Sequence, residues 1–198
     1  MKNFYLTFVF FSLGIIFTAC GEATKETTDL KIEYPEELDE LDNFEAFSLK
    51  PFDINALIYL PDATANIGTS VTPEVFHEMD SYFWEIQVGE NFHLTIEDWG
   101  TDAAFQDHLN QLNDQDIYIV EFLEKEDNFA YYKTELNVKG KGGKDNVGVE
   151  HISFHVIAQH TIDGINYLFK TKSEGCPKPI ADFMAKSVTS VEPIEVAS

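Results

Sequence analysis

Two cysteines, six histidines, a few serines and two acidic clusters are the side chains of this 198-residue chain whose placement could serve reaction or metal binding. Cys176 stands between Gly175 and Pro177, where a helix over 177–190 is expected to begin. Unpaired amides at a helix start lower a thiol pKa and favour the thiolate, which makes Cys176 a candidate nucleophile. The same position suits a small buried apolar residue closing a strand-to-helix corner, and there is no Cys-x-x-Cys pair. His77, His93, His108, His151, His155 and His160 raise the possibility of a metal site. His151 and His155 share a strand face but stand about 13 Å apart at roughly 3.3 Å per residue, too far to chelate one ion. A site would have to form across strands, for instance His93 with a residue of a neighbour, and no run has zinc-ligand spacing. The clusters Asn113-Asp114-Gln115-Asp116 and Glu124-Lys125-Glu126-Asp127 lack the glycine and closing glutamate of a calcium loop and read as solvated turns. Ser81, Ser153 and Ser187 have no Gly-x-Ser-x-Gly setting, and the glycines at 140–143 lack P-loop order. The sequence therefore assigns no catalytic residue, no metal ligand and no cofactor.

Cys20 carries chemistry of another kind. It follows Lys2, an apolar run over 4–17, and Thr18-Ala19. The run is shorter than the 18 or so residues a spanning helix needs and has the length of a signal-peptide apolar region. Phe17-Thr18-Ala19-Cys20 resembles the lipobox of bacterial lipoproteins, with Phe17 where that pattern usually has an aliphatic residue. The resemblance implies a signal peptide over 1–19 and a diacylglyceryl group on the Cys20 sulfur. One acyl chain binds a bilayer marginally and two bind it stably. The expected location is the bacterial cell envelope, lipid-anchored, with outer membrane or cell surface favoured over inner membrane.

The chain carries 35 acidic residues against 13 basic ones, all lysine, for a net charge of −22. That field repels nucleic acid and anionic headgroups. Without arginine there is no bidentate clamp for phosphate or carboxylate. With Cys20 lipidated, Cys176 has no intrachain partner, so the fold must rest on its core. Hydrophobic content of 44% with 17 phenylalanines is enough for one.

The elements that position these groups follow from periodicity. Residues 20–46 are acidic and read as a tether, since such a segment self-repels and extends; the globular domain is expected over 47–198. A buried strand is expected at 56–60, a loop at 61–73, and a short helix or irregular connection at 73–80. A hairpin follows, with Val88 opposite Phe92, Ile86 opposite Leu94 and Trp84 opposite Ile96, and Asn91 in the left-handed conformation. A helix at 102–113 carries Ala104, Phe105, His108, Leu109 and Leu112 on one stripe, capped by Thr101 or Asp102. Residues 116–124 are apolar on both faces and read as a central strand. Strands at 129–138, 149–160 and 165–171 follow, with an exposed turn at 139–146 and another at Asp163-Gly164. The helix over 177–190 buries Ile180, Phe183, Met184 and Val188. This is an α+β fold, an antiparallel sheet of about six to seven strands with helices packed on it.

From Ala56 to Pro193 the order of elements, the Leu60-Pro61 stop and the closing Phe183-Met184-Ala185-Lys186-Ser187-Val188 resemble the PsbP-like family, which includes small bacterial envelope lipoproteins. The resemblance implies a domain that binds or stabilises other proteins and brings no catalytic motif. The function expected is a membrane-anchored, non-enzymatic binding or accessory module. Its partner would be an envelope protein or a small ligand, met through an exposed sheet face or the loops at 61–73 and 139–147. Such a module should expose aromatic side chains, with Trp99, Tyr131 and Tyr132 as candidates. The alternative is a thiol- or metal-dependent enzyme using Cys176 or a histidine cluster.

Overall fold

The computed structural model describes residues 41–68, 72–78, 80–137 and 151–194. The expected signal peptide, Cys20, most of the acidic tether and the turn at 139–146 lie outside them. The fold is α+β. Seven antiparallel strands form the main sheet: β3 (Glu74–His77), β4 (Phe83–Val88), β5 (Phe92–Asp98), β6 (Tyr118–Lys125), β7 (Phe129–Leu136), β8 (Ile152–Ile162) and β9 (Ile165–Thr171). Their spatial order is β3-β4-β5-β9-β8-β7-β6. A smaller sheet places β2 (Ala56–Pro61) between β1 (Phe44–Ser48) and the short β10 (Glu192–Pro193). The helices are α1 (Ala104–Asp114) and α2 (Lys178–Thr189).

The main sheet is buried differently on its two faces. On the rear face Trp84, Ile86, Val88, Phe92, Leu94, Ile96, Val156 and Phe169 pack against Ile58 and Leu60 of β2 and Ile180, Met184 and Val188 of α2. On the front face Ala104, Phe105 and Leu109 of α1 pack on Ala130, Tyr132, Ile157 and Leu168. Period-two alternation in the strands sends neighbouring residues to opposite faces, so one sheet feeds two cores. Because α1 sits over β7, β8 and β9, it leaves the front of β3, β4 and β5 to solvent.

The hairpin has the expected register, with Val88, Ile86 and Trp84 opposite Phe92, Leu94 and Ile96. Its left-handed residue is Gly89, at φ 63°, rather than Asn91; a residue without Cβ takes that conformation at least cost. Four elements depart further from expectation. The irregular connection at 73–80 is strand β3, paired with β4 so that Val75 meets Ile86 and Phe76 meets Glu85. β1 begins at Phe44, ahead of the expected domain start, and pairs with β2. The strand read as central is β6, at the sheet edge, with Ile117, Ile119 and Leu123 exposed. Its apolar residues resemble those of a buried strand, but β7 pairs it on one side only. Ile152, the first residue of the expected strand at 149–160 to fall in β8, is exposed too.

The start of α1 is also built differently. Neither Thr101 nor Asp102 caps it; Ala103 holds the cap position without a side-chain bond. The Phe105 amide instead donates to Oε1 of Gln159 on β8, at 3.1 Å. A side chain from the sheet thus satisfies one of the amides that every helix start leaves unpaired.

Candidate functional site

Beneath the C-terminal half of α1 the front face opens into a pocket of about 360 Å³, lined by His108, Tyr132, Thr134, Ser153 and His155, with His151 and Tyr118 at its rim. β7 and β8 bring the polar groups together. Tyr132 lies opposite His155 and Thr134 opposite Ser153. The His155 ring stacks on Tyr132 at 5.0 Å with an interplanar angle of 9°, and its Nε2 is 3.0 Å from Thr134 Oγ1. His108 Nε2 lies 3.3 Å from the Tyr132 hydroxyl. Burial, aided by the nearby charge of His108, pushes the His155 pKa down to about 4. Burial also lowers that of His108, with Lys170 adding to it, and raises that of the Tyr132 phenol. His108, Tyr132 and His155 are therefore neutral hydrogen-bonding groups at pH 7, and Lys170, Lys172 and Glu174 add charged side chains to the lining.

Three of the six histidines thus line one pocket, a convergence that sequence spacing could not show because α1 and β8 contribute separately. Among the described residues no three His, Cys, Asp or Glu side chains come within reach of one metal ion. His93 does find a partner on the adjacent strand, with Nδ1 3.1 Å from Oε1 of Glu85. His160 turns its Nε2 to the Val188 carbonyl at the end of α2, at 2.7 Å. His77 stacks on Trp84 at 4.6 Å.

Cys176 is placed at the strand-to-helix corner, but its surroundings do not activate it. Its backbone exchanges hydrogen bonds with Phe154, N to O at 3.0 Å and O from N at 2.9 Å. Its Sγ lies 3.6 Å from the Phe154 carbonyl oxygen and packs against the rear core. Burial, with the Asp182 carboxylate nearby, pushes the thiol up to about 12. The expected thiolate stabilisation is absent because Pro177 and Pro179 at the helix start have no N–H to offer, and the Cys176 amide is already used.

The other half of the front face carries exposed aromatics. Of the three side chains expected there, Tyr131 and Tyr132 are buried, at 7% and 5% exposure, and Trp99 is exposed at 43%. Tyr131 faces the rear, where its hydroxyl donates to Asp182 Oδ1 at 2.7 Å. In their place stand Phe76 and Phe83, at 51% and 40% exposure. Phe76 lies on β3, whose strand the sequence reading does not expect although Val75 and Phe76 are β-favouring types; Phe83 lies on the expected hairpin, on the face opposite Trp84. Phe76 lies opposite Glu85 on β4, and Phe83 lies opposite Glu97 on β5. Trp99 follows Glu97 by two positions, and its Nε1 donates to Glu97 Oε2 at 3.1 Å. Phe76 and Phe83 thus stand diagonally on adjacent strands, and Trp99, one residue past the end of β5, continues the line beside a parallel diagonal of Glu85 and Glu97. An open concavity of about 600 Å³ runs along Phe76, Glu78, Ser81, Phe83 and Glu85.

The two glutamates are held by Lys170 of β9 and by Lys172 just past its end: Lys172 Nζ is 2.6 Å from Glu85 and Lys170 Nζ is 2.8 Å from Glu97. Burial alone would raise the Glu85 pKa, but the hydrogen bonds from Lys172 and His93 outweigh it and hold the carboxyl below its ordinary value. The described part of the loop at 61–73 contains a short 3-10 turn over Ala63–Ala65, and its residues 69–71 lie outside the described residues, as does the loop at 139–147. No protein-family model matches this chain, and no curated protein sequence matches it.

Proposed function

We propose that this chain is a lipid-anchored lipoprotein of the bacterial cell envelope, held by diacylglyceryl-Cys20, whose domain is a non-enzymatic binding module related to the PsbP-like proteins. Its partner is an envelope protein or a small ligand. The observation that carries the binding reading is the row of Phe76, Phe83 and Trp99, three exposed aromatics in line on the part of the front face that α1 leaves open. Exposed apolar side chains are ordinary singly and informative when they line up. The anchoring reading rests on Lys2, the apolar run at 4–17 and Ala19-Cys20. A thiol enzyme finds less support, since a thiol with a pKa of about 12 is protonated at neutral pH.

The test is metabolic labelling of the full chain with radiolabelled palmitate in a bacterial host. The expected result is label in the membrane fraction for the natural sequence and an unlabelled, unanchored protein for Cys20→Ser. A Cys20→Ser chain that stays equally membrane-bound overturns the anchor. Co-purification with envelope proteins that is lost in a Phe76→Ala, Phe83→Ala, Trp99→Ala variant supports the binding role.

A further inference from the structure

We infer that the aromatic diagonal is a docking row for an extended polypeptide segment bearing lysine or arginine at alternate positions, one cationic side chain over each ring. The inference rests on the binding reading above and names the partner's chemistry.

Spacing is the first argument. Diagonal neighbours on adjacent strands stand about 7–8 Å apart. Alternate side chains of an extended chain repeat at roughly 6.6–6.8 Å. Three alternate residues of an extended segment can therefore meet Phe76, Phe83 and Trp99 in turn. The row has no wall on its solvent side, so the guest needs no cavity of fixed shape.

Charge is the second argument. A cation over an aromatic face is attracted by the ring quadrupole. Glu74 and Glu78, both exposed, flank Phe76 along the chain and supply carboxylates at one end of the row. The lysines nearest the row, Lys170 and Lys172, are already paired to Glu97 and Glu85, so they do not turn it toward an anionic guest. The net charge of −22 steers a basic segment toward this protein and repels an acidic one.

The experiment uses the full chain in detergent and three fluorescein-labelled probes: a ten-residue Lys-Thr repeat, a ten-residue Glu-Thr repeat and a neutral glucose hexasaccharide. Binding is read by anisotropy. The lysine peptide is expected to bind, with affinity falling steeply between low salt and 0.5 M NaCl. Each of Phe76→Ala, Phe83→Ala and Trp99→Ala is expected to weaken it about two- to fivefold. Phe83→Tyr and Trp99→Phe, which keep a ring, are expected to retain most of the binding. Glu74→Lys with Glu78→Lys reverses the charge without touching the rings and should weaken the lysine peptide, so the inference stays testable if an alanine variant fails to fold. Equal binding of the acidic peptide, or lysine-peptide binding indifferent to both the ring and the charge-reversal variants, overturns the inference. Row-dependent binding of the hexasaccharide alone also overturns it but leaves the binding module standing. Binding of none of the probes to the row removes the partner class, and undisturbed co-purification with envelope proteins in the triple alanine variant removes the binding module as well.

Discussion

Gly175 lies against the imidazole of His155 so closely that a Cβ at residue 175 would stand 2.6 Å from Cε1 and 2.7 Å from Nε2. The same Cβ would meet Ser153 Cβ at 2.7 Å, and Gly175 holds φ +69°. The turn that leads into α2 thus forms the back wall of the histidine pocket. Gly175→Ala is expected to cost about 2–4 kcal/mol, combining the left-handed backbone penalty with overpacking of His155. Urea unfolding measures it. A change under 0.5 kcal/mol would show that the wall yields freely.

His155 should make stability depend on pH. Its folded pKa is about 4 against an unfolded value of 6.5. Below pH 6.5 the unfolded chain takes up a proton that the folded pocket refuses, so stability present above pH 6.5 is lost as pH falls toward 4. The loss from this group is at most about 3 kcal/mol, at 1.36 kcal/mol per pH unit. His108 and His160, also lowered by burial, act in the same direction. Equilibrium unfolding between pH 4 and 7 should show the slope, and His155→Gln should flatten it. An unchanged slope in that variant would place the titration elsewhere.

Cys176 should resist alkylation. A thiol at about 12 rather than 9 holds about a thousandfold less thiolate at neutral pH. The expected result is slow reaction with iodoacetamide at pH 8 in the folded chain and rapid reaction in urea. Equal rates in the two states would contradict the buried setting.

Gln159→Ala removes the acceptor for the Phe105 amide. Loss of a helix cap typically costs about 1 kcal/mol. Hydrogen exchange at Phe105 should speed up selectively, with little change at Leu109 one turn on. Uniform acceleration along α1 would instead report loss of the whole helix.

Much of this architecture was readable from alternation and turn residues. The β4–β5 pairing followed because that register puts six apolar side chains on one face. The helices followed from stripes such as Ile180, Met184 and Val188, all buried. What alternation cannot supply is lateral position. β6 carries the residues of a central strand and stands at an edge, since neighbour order is a tertiary choice. The same limit hid the two cores' division of labour, and with it the burial of Tyr131 and Tyr132. The cap of α1 was hidden because Gln159 is 54 residues away from Phe105. The histidine pocket depends on β7 meeting β8 and on the Gly175 turn, none of which leaves a local motif. Trp99 could be singled out by its type alone, but Phe76 and Phe83 required knowing that three strands stand side by side.

The strand at Phe44 belongs to the layer behind the main sheet, whereas Phe83 and Trp99 look out from its front. The sheet therefore separates the row from the rear core: none of the three rings belongs to that core, so the row can be altered while the packing of β2 and α2 keeps its contacts.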